Sequence, residues 1–329
     1  MSEIIEITAT RARQAAERIY DFIICTPLRR SEAFSANLAA NVYFKLENLQ
    51  TTGSFKLRGA TNRLLTLSDE ERSTGCVAAS TGNHGAAVAC ATKKLGASGV
   101  VFVPEQTSSA KVDAIRSYGG DVRFFGTDGV DTEQHAREYA QKNELFYLSP
   151  YNDEEVVAGQ GSCGIEIVEQ LPAIDVAFIA VGGGGLIAGV GSVLKTHNPD
   201  IRIFACQPRA SAVMAHSIEA GRILQLESEP TLSDGTAGGI EADTMTFPLT
   251  QAVVDEFVLV DEQQIGAAMR QYMDSEGHTI EGAAGVAVAG MICRKDEIRD
   301  KNVVVIICGG NISQDTLTRV RNMGTDSEC

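Results

Sequence analysis

The 329-residue chain contains no tryptophan and few aromatic residues of any kind, 6% in all. Positive charge is also scarce: 28 Lys and Arg stand against 43 Asp and Glu, a formal charge of −15. Such a chain does not hold nucleic acid or an anionic membrane by bulk electrostatics, so neither is expected as a partner. A small anion is still open to it, because backbone N–H groups bind one without net positive charge. There is no fixed-period repeat and no low-complexity linker. No C-x-x-C pair occurs among the eight cysteines, at 25, 76, 90, 163, 206, 293, 308 and 329. Several sit in apolar stretches, so they read as reduced core thiols of a cytoplasmic protein. The opening Met1-Ser-Glu-Ile-Ile-Glu6 is acidic and lacks the long apolar run of a secretion signal. The apolar segment 176–194 carries no charge and is about long enough to cross a bilayer, but Gly182, Gly183, Gly184 and Gly185 interrupt it. A strand, a loop and a helix in series are expected there rather than a membrane helix.

What is present is an ordinary globular composition, 44% apolar and 22% charged, long enough for two lobes. Apolar β-branched runs at 42–46, 76–79, 100–103, 122–125, 146–148, 176–181, 202–206, 257–260 and 303–308 predict strands. Stretches of helical period, among them 84–94, 110–118, 131–141 and 263–274, lie between them. Alternating strands and helices predict an α/β fold with mostly parallel sheets flanked by helices. The polar stretch before Gly75 and the turn Ser149-Pro-Tyr-Asn-Asp153 suggest a small α/β lobe over 75–149. The pieces 1–74 and 150–329 would then join into a larger domain, with a ligand cleft between the two.

Four sequence features could carry chemistry. Val181-Gly-Gly-Gly-Gly-Leu186 follows an apolar strand and precedes a helix, where converging N–H groups suit a phosphate. It is not a nucleoside-triphosphate loop, and a tight helix–sheet turn is the plain alternative. Thr51-Thr-Gly-Ser-Phe-Lys56 places a lysine after small polar residues, although most lysines are merely solvated. Ser80-Thr-Gly-Asn-His-Gly85 again joins strand to helix and could hold a carboxylate, while Asn83 could bond a phenolic oxygen. His84 alone reads as well for a structural loop histidine. Cys308-Gly-Gly-Asn311 closes the last strand, at the edge where open α/β sheets place ligands.

Together these four motifs, in order, resemble the serine/threonine dehydratase and serine racemase group of fold-type II pyridoxal-phosphate (PLP) enzymes. The resemblance runs from Thr26-Pro-Leu28 to Cys308-Gly-Gly-Asn311, nearly the whole chain. It implies a two-lobed, tryptophan synthase β-like fold and a lysine, Lys56, that forms an imine with PLP. It puts Phe55 beside the cofactor, Asn83 on its phenolic oxygen, and Gly182, Gly183, Gly184, Gly185 and Leu186 around its phosphate. Ser80, Thr81 and His84 fall in the loop for the substrate carboxylate, and Glu281 matches an acidic residue near the cofactor. Cys308 stands where the group mostly has Ser facing the pyridine nitrogen. A neutral thiol there would make the ring a weaker electron sink than an Asp partner would.

The implied activity is α,β-elimination on a small β-hydroxy amino acid, L-threonine or L-serine, by a homodimer. Its products would be a 2-oxo acid and ammonia. Racemisation is one alternative, with Thr81 at the place of the racemases' second acid/base Ser. Dehydration of 3-hydroxyaspartate is another, and a non-catalytic PLP or amino-acid binding protein a remote third. The carboxylates of metal-activated members are missing, with Gln207 and Val213 in their place, so no metal site is expected. The chain as given ends soon after Asn311, and no C-terminal regulatory domain is expected.

Overall fold

Runs such as Val176-Ala-Phe-Ile-Ala180 and Asn302-Val-Val-Val-Ile-Ile307 offer no polar face, so they are stable only when covered on both sides. The computed structural model, which describes residues 2–323, builds them into two sheets. Met1 and Cys329 lie outside the described residues. The strands are β1 (Leu28–Arg30), β2 (Asn41–Leu46), β3 (Cys76–Ala79), β4 (Gly99–Val103), β5 (Asp121–Phe124), β6 (Phe146–Tyr147), β7 (Val176–Ala180), β8 (Arg202–Pro208), β9 (Glu256–Val260) and β10 (Asn302–Ile307). One sheet runs β1-β2-β10-β7-β8-β9 and the other β5-β4-β3-β6. All pairs are parallel except β1 with β2. In register, Val303 lies beside Val42 on one side and Val176 on the other.

The α/β class with flanking helices is as expected. Segment 176–194 becomes β7, the glycine turn and the helix Gly185–His197. Among the described residues no helix is long and apolar enough to cross a membrane. Strand β1 was not anticipated: it has three residues, two of them Arg, and pairs only along one edge. Cys25, Cys76, Cys90, Cys163, Cys206 and Cys308 are free thiols. Cys293 departs from the expectation and is disulfide-bonded.

Each sheet has its own apolar cluster. The larger one gathers β2, β7, β8 and β10 around the helix Gly282–Cys293, whose apolar residues run all round it. The second lies under the small sheet and also takes in Leu57, Ala60, Leu64, Leu148 and Val156. Its outlying members bring the helix Lys56–Thr66 onto the small sheet's core.

A polar knot lies beside that helix. Arg58, with no solvent exposure, grips Glu47 through Nε at 2.7 Å and Nη2 at 2.8 Å. It also donates to Glu166 at 2.7 and 2.9 Å and to Ser162 at 3.0 Å. Lys45 Nζ donates to Glu166 at 2.5 Å and to the Thr26 carbonyl at 2.6 Å. Two cations and two carboxylates thus neutralise one another, with their hydrogen-bonding groups matched.

Candidate active site

Parallel strands end along one edge of a sheet, and the four motifs emerge there. The turn 47–55 with Lys56 follows β2, the 80–83 loop follows β3, the glycine run follows β7, and Cys308 follows β10. The Cys308 carbonyl accepts from Phe55 N at 3.0 Å, and Ser54 forms a β-bridge with Gly309. These contacts fix the start of the lysine helix against the end of the central strand.

Lys56 is half-buried and lies 5.2 Å from the Phe55 ring centre. Its Nζ donates to the Pro150 carbonyl at 2.9 Å. Burial pushes the amine down to about 8, outweighing the upward pull of Cys308 and Glu281. Neutral amine is therefore available near physiological pH, as a nucleophile or base requires. Pro150 is held by the next turn: Asp153 caps the helix Glu154–Gln170 and also accepts from Arg63 Nε at 2.8 Å.

Tyr151, next after Pro150, links the lysine to the glycine run. A Cβ on Gly183 would lie 2.5 Å from the Tyr151 ring, and Gly185 is close to the Tyr151 backbone. Gly184 has φ 85, a left-handed conformation that favours glycine, and stands as N-cap of the helix Gly185–His197. That cap offers no side chain, so the first N–H groups of the helix, from Gly185 and Leu186 onward, are left to a ligand. Thr246 Oγ1 braces the turn from behind, donating to the Gly183 carbonyl at 2.6 Å. Sequence reasoning missed Tyr151 and Thr246, which lie in no motif and meet the turn only through the fold.

Asn83 is half-buried at the start of the helix Asn83–Leu95. Its Nδ2 donates to both Glu281 oxygens at 2.9 Å, and its Oδ1 accepts from Asn311 Nδ2 at 2.7 Å. Glu281 is 5% exposed, and burial pushes its carboxyl up to about 7 although Asn83 pulls it down. The Cys308 thiol is buried and held well above its ordinary value, first by burial and then by Glu281, so it stays neutral. The structure thus brings Lys56, Phe55, Asn83, Glu281 and Cys308 to one strand-end region, with the glycine turn joined to them through Pro150 and Tyr151.

Residues 19–309 match the model of the family described as pyridoxal-phosphate dependent enzyme. The chain belongs to that family. It is 36% identical over 318 residues to an L-threonine ammonia-lyase of Thermotoga maritima, covering 97% of this chain and 79% of that one. The processed form of threonine deaminase isoform 2 from Solanum lycopersicum superposes with a TM-score of 0.93 at 35% identity, over 98% of this chain and 94% of the other. Maize serine racemase gives 0.88 at 30% identity, over 95% and 96%. The protein is a PLP-dependent enzyme.

The residues present fit PLP by their own chemistry. A pyridine aldehyde phosphate needs a neutral amine, an anion cradle, a donor for its phenolic oxygen and a partner for its ring nitrogen. Lys56, the Gly182–Leu186 turn, the Asn83 N–H2 group and the neutral Cys308 thiol match these needs in turn. Among the loop residues for a carboxylate, the Ser80 Oγ accepts from Gly82 N at 3.2 Å, and Thr81 is half-buried. His84 is 4% exposed and lies 2.9 Å through Nε2 from the Leu148 carbonyl. Since a carbonyl only accepts, that nitrogen carries the proton. Burial, with Lys56 adding to it, pushes His84 down to about 3, so its ring is neutral. Gln207 uses its buried amide to donate to the Val181 carbonyl at 3.1 Å and to accept from Ala215 N at 2.8 Å.

Proposed function

We propose that this PLP enzyme eliminates water from L-threonine or L-serine and releases a 2-oxo acid and ammonia. The observation that carries the reading is Lys56, a desolvated amine set against a neutral Cys308. PLP, when bound, supplies the electron sink that makes the substrate α-hydrogen acidic. Lys56 Nζ, once free, takes that hydrogen as a proton. Cys308 would give the ring nitrogen a neutral thiol as partner, which would favour prompt departure of the β-hydroxyl. Asn83 would donate to the phenolic oxygen, with Phe55 and Glu281 alongside, and the Gly182–Leu186 turn would hold the phosphate. Ser80, Thr81 and the N–H groups opening the Asn83–Leu95 helix receive the carboxylate, and neutral His84 braces that loop. Overall the α-hydrogen and β-hydroxyl leave as water, and water then replaces the nitrogen as ammonia departs. Names of relatives support threonine as substrate, and the acidic neighbours Glu281 and Asp234 disfavour a second substrate carboxylate such as that of 3-hydroxyaspartate.

Racemisation is the second reading, favoured by the likeness to serine racemase and by the Thr81 hydroxyl in the carboxylate loop. The reading also takes the protein as a cytoplasmic homodimer whose 75–149 lobe closes over the site. A panel of L-Thr, L-Ser, D-Ser and 3-hydroxyaspartate isomers, scored for 2-oxo acid and inverted amino acid, tests it. Ammonia from L-Thr or L-Ser is expected. Inversion of serine without 2-oxo acid would replace elimination by racemisation, and a yellow protein inert on the whole panel would leave only binding.

A further inference from the structure

Asn311 holds a place in no assignment above, yet its side chain joins three parts of the site. Its Nδ2 donates to the Thr52 carbonyl at 2.8 Å and to Asn83 Oδ1 at 2.7 Å. Thr52 belongs to the turn that leads to Lys56, Asn83 opens the helix after β3 in the small sheet, and Asn311 itself follows β10. Room for this side chain is reserved: a Cβ on Gly53, whose φ is 72, would lie 2.5 Å from Asn311 Oδ1.

The direction of every bond in this chain is set by its two ends. The Thr52 carbonyl can only accept, so Asn311 must present its N–H2 there. The second hydrogen of that group then requires an acceptor on Asn83, which is Oδ1. At the far end the Glu281 carboxylate, as an acceptor, takes the Asn83 N–H2 at 2.9 Å from both oxygens. An amide free to turn over would present either its carbonyl or its N–H2 to a ligand. Here the two anchors hold the amide one way, with Oδ1 toward Asn311 and the N–H2 toward Glu281.

We propose that Asn311 is a positioning residue that locks the Asn83 amide with its N–H2 toward the phenolic oxygen of PLP. In the same act it ties the small-sheet loop to the lysine turn. This rests on the assignment of Asn83 to that oxygen. A phenolate accepts a hydrogen bond and is repelled by a carbonyl, so the orientation decides between attraction and repulsion. Asn311 acts only through Asn83 and does not itself touch the cofactor.

The test is a thermodynamic cycle on the holoenzyme, with Asn311→Asp, Asn311→Ala, Asn83→Ala and the two double variants. PLP affinity is read by fluorescence titration, together with the absorbance maximum of bound PLP and the melting temperature. Asp is isosteric with Asn, and position 311 is exposed, so the fold tolerates the change. Its carboxylate opposes both the Thr52 carbonyl and Asn83 Oδ1 and turns the Asn83 amide over. About ten-fold weaker PLP binding and a displaced absorbance maximum are expected for Asn311→Asp, with a smaller loss for Asn311→Ala. In the Asn83→Ala background neither change has a further effect. Unchanged affinity and spectrum in Asn311→Asp would overturn the proposal. So would losses that add to that of Asn83→Ala, since Asn311 would then act by another route. Wild-type protein that takes up no PLP would instead overturn the cofactor assignment, and this proposal with it.

Discussion

Lys56 and Arg58 are two residues apart at the start of one helix, and burial pushes both down, yet their partners send them to opposite ends. Arg58 enters a knot with Glu47, Glu166 and Lys45, and the two carboxylates outweigh burial and hold it well above its ordinary value. Lys56 enters the site with one carbonyl partner, and desolvation brings it down to about 8. The carboxylates follow suit: Glu47, paired with Arg58, is lowered, whereas Glu281, faced by the neutral Asn83 amide, is raised to about 7. Buried charge that is paired makes structure. Buried charge left short of a partner makes chemistry, since its proton can come and go near neutral pH.

The comparison is broken most completely at Lys56. Lys56→Ala is expected to abolish ammonia release from L-threonine while shifting stability by less than about 1 kcal/mol. Ammonia assays beside thermal melting check this, and turnover near the wild-type level would remove Lys56 from its role. The mirror experiment is Arg58→Met, which strands Glu47 and Glu166 with Lys45 as their one cation. A loss of about 3–5 kcal/mol is expected in urea unfolding. A loss no larger than that of Lys56→Ala would mean that the knot is not structural.

Cys308 sharpens the contrast with a smaller effect. Cys308→Ser keeps a neutral partner and much of the elimination. Cys308→Asp puts a carboxylate where the ring nitrogen is assigned and favours its protonated form. Several-fold more exchange of the substrate α-hydrogen with solvent, relative to elimination, is expected from D₂O incorporation. An Asp variant that retains PLP with an unchanged ratio would contradict the electronic role.

Strands β2 to β10 were legible, β7 and β10 most plainly because a covered parallel strand is apolar along its length, while β5, Asp121-Val-Arg-Phe124, is largely exposed. β1 was not, since Leu28-Arg-Arg30 carries no such signature and owes its form to β2. The site was legible where chemistry is written in contiguous residues, as at Lys56, Asn83 and Gly182–Gly185. Thr246 and Tyr151 escaped, as did the tie of Asn311 to Asn83, because the partners lie far away in sequence: Asn311 meets Asn83 across 228 residues and Thr246 meets Gly183 across 63. The knot escaped for the same reason, with Arg58 and Glu166 separated by 108. Lys45 lies in an apolar strand with nothing to mark its ion pairs, whereas Thr51-Thr-Gly-Ser-Phe-Lys56 marks Lys56.

Those two lysines supply the most direct test. Holoenzyme reduced with borohydride, digested and mapped by mass spectrometry shows which amine carried the cofactor. The account predicts the pyridoxyl group on Lys56 and none on Lys45. It further predicts that loading of cofactor-free protein with PLP, trapped the same way, climbs through about pH 8 and then levels, because an amine lowered from 10.5 is already neutral above that point. A label on Lys45, or loading that still climbs beyond pH 10 as for an ordinary lysine, would contradict it.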